Sequence, residues 1–219
     1  MGDSSKYTIK KILGSQMYLI TKDGGLSKQL LKFGIREVGA TNETINLLRP
    51  DMVVIDIGSN LGYYALLEAK ICTDGFVYAI EPVKENVIAL DKSIKLNNYK
   101  NIKIYQCAIG SENKYEEMTI TYKSNCGSLV KKSRNEKLVK ERRKVKTITL
   151  NDFCKRLGLA RIDFIRMDVE GYEIEIVRGM NLFSLYIKDK KLIKEKELTS
   201  YQGCSTNLLK LKHKSDKFI

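Results

Sequence analysis

The stretch VVIDIGSNLGYYALLEAK, Val53 to Lys70, decides how the chain folds. It passes from an apolar strand through Asp56 and a glycine-bearing turn into an amphipathic helix. MVVIDIG is apolar at nearly every position, as a parallel strand covered on both faces must be. The helix after the glycines presents Ala65, Leu66 and Ala69 inward. Outward from this unit the same alternation recurs. FVYAIEP reads as a second strand and ENVIALDKSIKLNN as a second helix, IKIYQCAIG as a third strand, and IDFIRMD as a fourth leading into VEGYEIEIVRGM. Strands alternating with helices predict an α/β fold, a doubly wound Rossmann-like and mostly parallel sheet.

The remaining sequence fits around that core as a single domain over 1–219. In 1–50, YTIKKILGSQMYLITKDGG alternates apolar and polar residues and reads as a hairpin or a pair of short strands. Thr41 to Leu48 then reads as a helix behind a capping Thr or Asn, stopped by Pro50. The Rossmann-like core occupies 51–182. Its basic insert, 111–146, holds EEMTITY and VKTITLNDF and reads as a β-hairpin with a charged loop; TLNDFCKRLGL follows as a short helix capped by Asn151 or Asp152. The tail, 183–219, is basic and atypical.

With 43 % hydrophobic residues in 219, the chain can bury a sizeable core. No stretch approaches the roughly 18 apolar residues of a membrane span, and MGDSSKYTIK has no signal-peptide character, so a cytoplasmic protein is expected. The five cysteines form no C-x-x-C pair, which argues against a disulfide framework or a zinc site. The net charge of +13 is localised. Lys123 to Lys146 carries ten Lys or Arg against two Glu, and Lys188 to Ile219 carries nine Lys against four acids, which together account for the whole excess. The rest is neutral. Neither basic segment interleaves aromatic residues as a nucleic-acid stacking platform does, so nucleic acid is not favoured as a partner. The insert from Lys123 to Lys146 is expected to stand outside the cofactor pocket and to govern only the acceptor or a partner.

The turn D-I-G-S-N-L-G lacks both the dinucleotide spacing G-x-G-x-x-G and the Lys-Ser/Thr of a phosphate loop. Asp56 would repel phosphate and attract a cation. The glycines permit close backbone approach, and the following helix offers unpaired N–H groups to a carboxylate. A zwitterion fits both features. Glu81 ends the second strand, where an acidic side chain takes ribose hydroxyls in doubly wound folds. An amino acid joined to a nucleoside describes S-adenosyl-L-methionine.

VIDIGSNLGYYAL, AIEP, AIGSENK, VKTITLNDF and IDFIRMDVEGYEIEIVRGM together resemble the FkbM family of class I S-adenosylmethionine-dependent methyltransferases, with REVGATNET upstream similar to the segment that leads into that fold. The resemblance covers roughly 34–182. It implies O-methylation of a hydroxylated small-molecule or saccharide acceptor, with S-adenosyl-L-methionine as cofactor. By position it implies that Asp56, Gly58, Ser59, Asn60 and Gly62 line the methionine part, that Glu81 holds the ribose, and that Cys107 and Ala108 flank the adenine.

Methyl transfer requires in-line positioning of the acceptor and removal of its proton. The only histidine, His213, lies in the tail. Carboxylates remain, and Asp168, Glu170 and Glu173 gather after the fourth strand. Asp168 is the first choice as base or acceptor ligand, with Glu170 second; the alternative for Asp168 is a helix N-cap. No metal is expected. Tyr63 and Tyr64 read as helix packing. After Gly179 the chain departs from the family, offering LFSLYI and NLLKLK as short strands at most. A sheet ending there exposes an apolar edge that a second copy would cover. Three readings follow: an active methyltransferase with an unusual carboxyl end, a truncated member that binds cofactor poorly, or an RNA-binding or RNA-methylating variant.

Overall fold

A computed structural model describes residues 6–129, 137, 139–180 and 207–210. β1 (Tyr7–Ile12) and β2 (Ser15–Ile20) form an antiparallel hairpin whose turn residues, Leu13 and Gly14, both have positive φ. That geometry suits the twist of a two-residue turn. α1 (Leu26–Phe33) follows, a helix unmarked in the sequence reading although Leu26 and Leu30 recur at helical spacing and Gly34 closes it in the left-handed region. α2 (Val38–Leu47) begins at Val38 rather than Thr41. The expected cap at Thr41 is instead buried inside the helix, its Oγ1 donating to the Arg36 carbonyl at 2.7 Å.

The core then alternates as β3 (Val53–Ile57), α3 (Tyr63–Ile71), β4 (Phe76–Ile80), α4 (Lys84–Leu96) and β5 (Ile102–Tyr105). The third strand of the sequence reading is in fact two. β5 stops at Tyr105, and β6 (Ala108–Ile109) joins a separate sheet with β7 (Lys114–Thr121) and β8 (Val139–Ile148). β7 and β8 are the expected inserted hairpin, paired antiparallel. α5 (Leu150–Leu157) is capped by Thr149, whose side chain accepts from the Asp152 amide, not by Asn151 or Asp152. β9 (Phe164–Met167), α6 (Glu173–Arg178) and β10 (Asn207–Lys210) complete the described chain.

The main sheet has the order β10-β9-β3-β4-β5, parallel except for β10, which runs antiparallel along β9. The edge of β9 that the sequence reading leaves bare therefore carries β10. LFSLYI lies outside the described residues. Side chains alternate between two cores, as the strand period requires. Val54, Val77 and Ala79 pack with α3, α4 and the hairpin, whereas Ile55, Ile57, Ile80, Ile165 and Met167 pack with Phe153 and Ile176 on the opposite face. Each such fully buried side chain contributes about 1.5–3 kcal/mol of transfer free energy. The sheet is doubly wound. Among the described residues no helix is long and apolar enough to cross a membrane.

Candidate active site

The chain leaves β3 toward β4 and β5 on one side and returns to β9 on the other, so the loops after β3 and β9 diverge at the carboxyl edge. A crevice opens at such a switch point. Here it is a cleft of about 640 Å³, counting its mouth, walled by Gly58 and Asn60 after β3, Glu81 to Val83 after β4, Cys107 to Ile109, and Asp168 to Glu170 after β9. Arg36 and Tyr172 add to the wall, and Ser124 and Gly127 to Leu129 of the insert form another side. Of the residues singled out in the sequence, the fold thus brings Gly58, Asn60, Glu81, Cys107, Ala108, Asp168 and Glu170 to one cavity. Asp56, Ser59 and Gly62 stand behind it.

Asp56 is wholly buried, and the cation it attracts comes from the protein: Arg166 Nη1 donates to its Oδ1 at 2.9 Å. The two residues face each other in the β3–β9 register. Ser59 is likewise internal, its Oγ donating to the Asp56 carbonyl at 2.9 Å and its amide to the Ile80 carbonyl at 3.0 Å. The glycines also serve the fold. At Gly58 (φ +83) a Cβ would stand 2.3 Å from the Asp168 carbonyl oxygen, and at Gly62 (φ +90) 2.2 Å from Leu90 Cδ1. The loops after β3 and β9 approach closely only because residue 58 has no side chain.

Glu81 is buried and locked. Its Oε2 accepts from the Asn60 amide at 2.9 Å, and its Oε1 from the Val83 amide at 2.9 Å and Asn86 Nδ2 at 3.2 Å. Burial pushes its carboxyl up to about 7 against the downward pull of these donors. Asn60, in the left-handed region, ties the same turn to the insert through Nδ2 and the Ser124 carbonyl at 3.0 Å. Cys107 and Ala108 supply an uncharged wall, and burial raises the Cys107 thiol to about 11.

Asp168 is no helix cap, because α6 starts after Tyr172. Its Oδ2 accepts from Arg36 Nη2 at 3.3 Å and from Arg166 Nη2 at 3.2 Å, while its Oδ1 is enclosed with no hydrogen-bond partner. An orphaned carboxylate oxygen on a cleft wall is a vacant acceptor, costing free energy until a donor reaches it. Glu170 sits at the rim with positive φ, its carbonyl accepting from Ser128 Oγ at 3.1 Å. Glu173 turns inward to accept from the Val169 amide at 3.2 Å.

The two arginines were missed. The planar guanidinium of Arg166 forks between Asp56 and Asp168 and stacks 3.6 Å from the Tyr64 ring centre. A lone Arg in the buried strand IDFIRMD is a signal that could have found it. Arg36 opens REVGATNET, the stretch that resembles the family's entry segment, but nothing local points it at the cleft. Its placement depends on Tyr63 and Thr41, whose hydroxyls bracket its backbone at 3.1 and 2.7 Å. Tyr63 and Tyr64 pack in the core as expected, and both also serve this polar cluster. Glu68 of α3 is buried beside it, and burial, reinforced by Asp56, drives its carboxyl well above the ordinary range.

The insert does not stand apart from the cleft, contrary to the sequence expectation. Ser124, Gly127, Ser128 and Leu129 line the cavity, and Arg143 clamps the insert to α4 through a two-point bridge to Glu85 at 3.0 and 3.1 Å. It is the stretch between Lys123 and the later run of basic residues that folds inward.

The profile of the methyltransferase FkbM domain matches residues 56–208. The chain belongs to the FkbM methyltransferase family. Its curated relatives include Methyltransferase 1 of Beauveria bassiana, 24 % identical over 147 residues, and Methyltransferase sdnD of Sordaria araneosa, 26 % identical over 157 residues. These matches cover 60 % and 58 % of this chain, and the chain spans 59 % and 60 % of the length of those relatives. Among solved structures, M. jannaschii TYW2 in complex with AdoMet has a TM-score of 0.36 and 23 % identity over 48 % of this chain and 44 % of that one. A likeness of that size adds nothing to the strand order described above. The family match begins at Asp56, so Arg36 contributes to the cleft from upstream of it.

Proposed function

We propose that the chain binds S-adenosyl-L-methionine in this cleft and transfers its methyl group to a hydroxyl of a sugar or glycosylated small molecule. The observation that carries this reading is the placement of Glu81 and Asp168, two buried carboxylates, on one cavity wall at the switch point of a parallel sheet. Glu81 accepts three N–H bonds over two oxygens and keeps lone pairs for the ribose hydroxyls. Cys107 and Ala108 flank the adenine without charge. The Gly58–Asn60 turn receives the methionine end, while Asp56 holds Arg166 in place from behind. Family membership supports the reading.

When bound, the cofactor supplies an electrophilic methyl group on a sulfonium, so the protein is left to align an oxygen with it and to take one proton. In this reading Asp168 takes that proton from the acceptor hydroxyl on Oδ1, which has no partner among the described residues, while Arg36 and Arg166 hold the other oxygen.

Calorimetric titration with S-adenosylhomocysteine and its 2′-deoxyribose analogue tests the site. The parent should prefer the intact ribose. Glu81→Ala should weaken binding by about 1.5–3 kcal/mol and abolish that preference, because the lost charged acceptor serves the ribose hydroxyls. A preference that survives in the variant removes Glu81 from the ribose site.

A further inference from the structure

A second cleft adjoins the first and shares Val83, Ser124 and Gly127 with it as a common wall. Its rim carries Lys6, Lys22, Lys123 and Lys140, together with Asp23 and Glu85. Both carboxylates are already committed. Asp23 accepts from the amides of Gly25, Ser27 and Ser124 at 2.8 Å and from Ser124 Oγ at 2.7 Å. Glu85 is gripped at both oxygens by Arg143. Among the described residues no carboxylate lies within ion-pair distance of Lys22, Lys123 or Lys140, and Lys6 reaches only the face of Tyr7. The cleft therefore has an unbalanced positive field over a floor containing Ile20, Ile120 and Tyr122.

We propose that this second cleft binds a phosphate or diphosphate group of the methyl acceptor, so that the acceptor is a phosphorylated hydroxyl compound. The inference rests on the methyltransferase reading of the first cleft. Lysine ammonium groups act as point charges that suit a multiply charged tetrahedral oxyanion approached from several sides, and four of them line this cleft. An acceptor anchored there extends over the Ser124–Gly127 wall toward Asn60 and Asp168. This gives the basic start of the insert a task that its charge alone did not define.

The test uses the full chain saturated with S-adenosylhomocysteine and titrated with pyrophosphate at about 0.15 M salt, where diffuse surface attraction is screened. Saturable binding is expected, weakened at least about tenfold, or 1.4 kcal/mol, in the double variant Lys22→Gln, Lys123→Gln. The control Lys100→Gln, Lys103→Gln removes the same charge at the far end of β5 and should bind pyrophosphate as the parent does. Equal losses in both double variants, or no loss in the first, overturn the proposal, because the attraction is then a property of net charge. Tighter binding of a uridine oligonucleotide than of pyrophosphate, weakened alike by both double variants, overturns it in favour of a nucleic-acid track. Affinity for S-adenosylhomocysteine should be equal in parent and variants. Its absence in the parent rejects the first-cleft reading separately from the anion result.

Discussion

Asp56 lies within β3 and Asp168 just past the neighbouring parallel strand β9, and both bond to the same guanidinium of Arg166, yet their surroundings differ. Each acid turns one oxygen to arginine and encloses the other without a hydrogen-bond partner, but Asp56 is sealed beneath the turn, while Asp168, just past the end of β9, lines the cleft. The difference is one of register. Asp56 faces Arg166 inside the paired part of the sheet, whereas Asp168 follows Met167, the last paired residue of β9, whose partner is Ile57. A carboxylate within the ladder serves the structure; one just beyond it is available to a ligand.

The sharpest way to break this comparison is to neutralise each acid. Asp168→Asn keeps size and shape but removes the base, so turnover with an identified acceptor should fall about 10²–10⁴-fold while the melting temperature holds. Turnover equal to the parent would reduce Asp168 to a strut for the arginines. Arg166→Met should act on stability instead. It strands Asp56 in the core, at a cost of about 3–5 kcal/mol, which a thermal melt should register as a drop of roughly 6–20 °C. Asp56→Asn should lose about 1–3 kcal/mol of stability and leave affinity for S-adenosylhomocysteine unchanged. A strong loss of affinity without loss of stability would place Asp56 in the ligand site after all.

Glu81 gives a smaller effect with a defined pH window. Burial holds its carboxyl at about 7 in the folded protein, above the ordinary 4.5, so the folded state binds this proton more tightly than the unfolded chain does. Stability from this group is fully present below 4.5 and is lost as pH rises through about 7. Cofactor affinity should run the other way, because the carboxylate is the form that accepts two hydroxyls. Below about 7 it should fall by about tenfold per pH unit, a slope that calorimetry between pH 5.5 and 8 would read, each pH being set by buffer. The smallest effect is expected from Arg36→Lys, which loses the span between Glu37 and Asp168 but keeps a charge. Turnover should drop by less than about tenfold, with cofactor affinity unaltered.

The strands of the core were legible because complete burial forces a continuous apolar run, and MVVIDIG, FVYAIEP and IDFIRMD each show one. α1 was missed because it lies directly after the hairpin residues, where a period of two had been read. The break between Tyr105 and Ala108 was missed because a continuous apolar run does not reveal which sheet each half joins. Within the cleft, Glu81 was legible from its place at a strand end. Arg36 was not, since it reaches Asp168 from 132 residues away.

By itself the sequence determined the alternating α/β core, the turn between Asp56 and Gly62 and the acid at 81, because each is written in local periodicity or in position relative to a strand end. Only the tertiary structure decided which carboxylates are sealed in the core and which line the cleft. That depends on what the neighbouring strand sets opposite each acid: Arg166 lies across from Asp56, the backbone of Asp168 fills the space that Gly58 leaves, and Ser124 folds over Asn60. These contacts join residues far apart in the chain, and a charge's partner across a sheet is fixed by register and not by spacing.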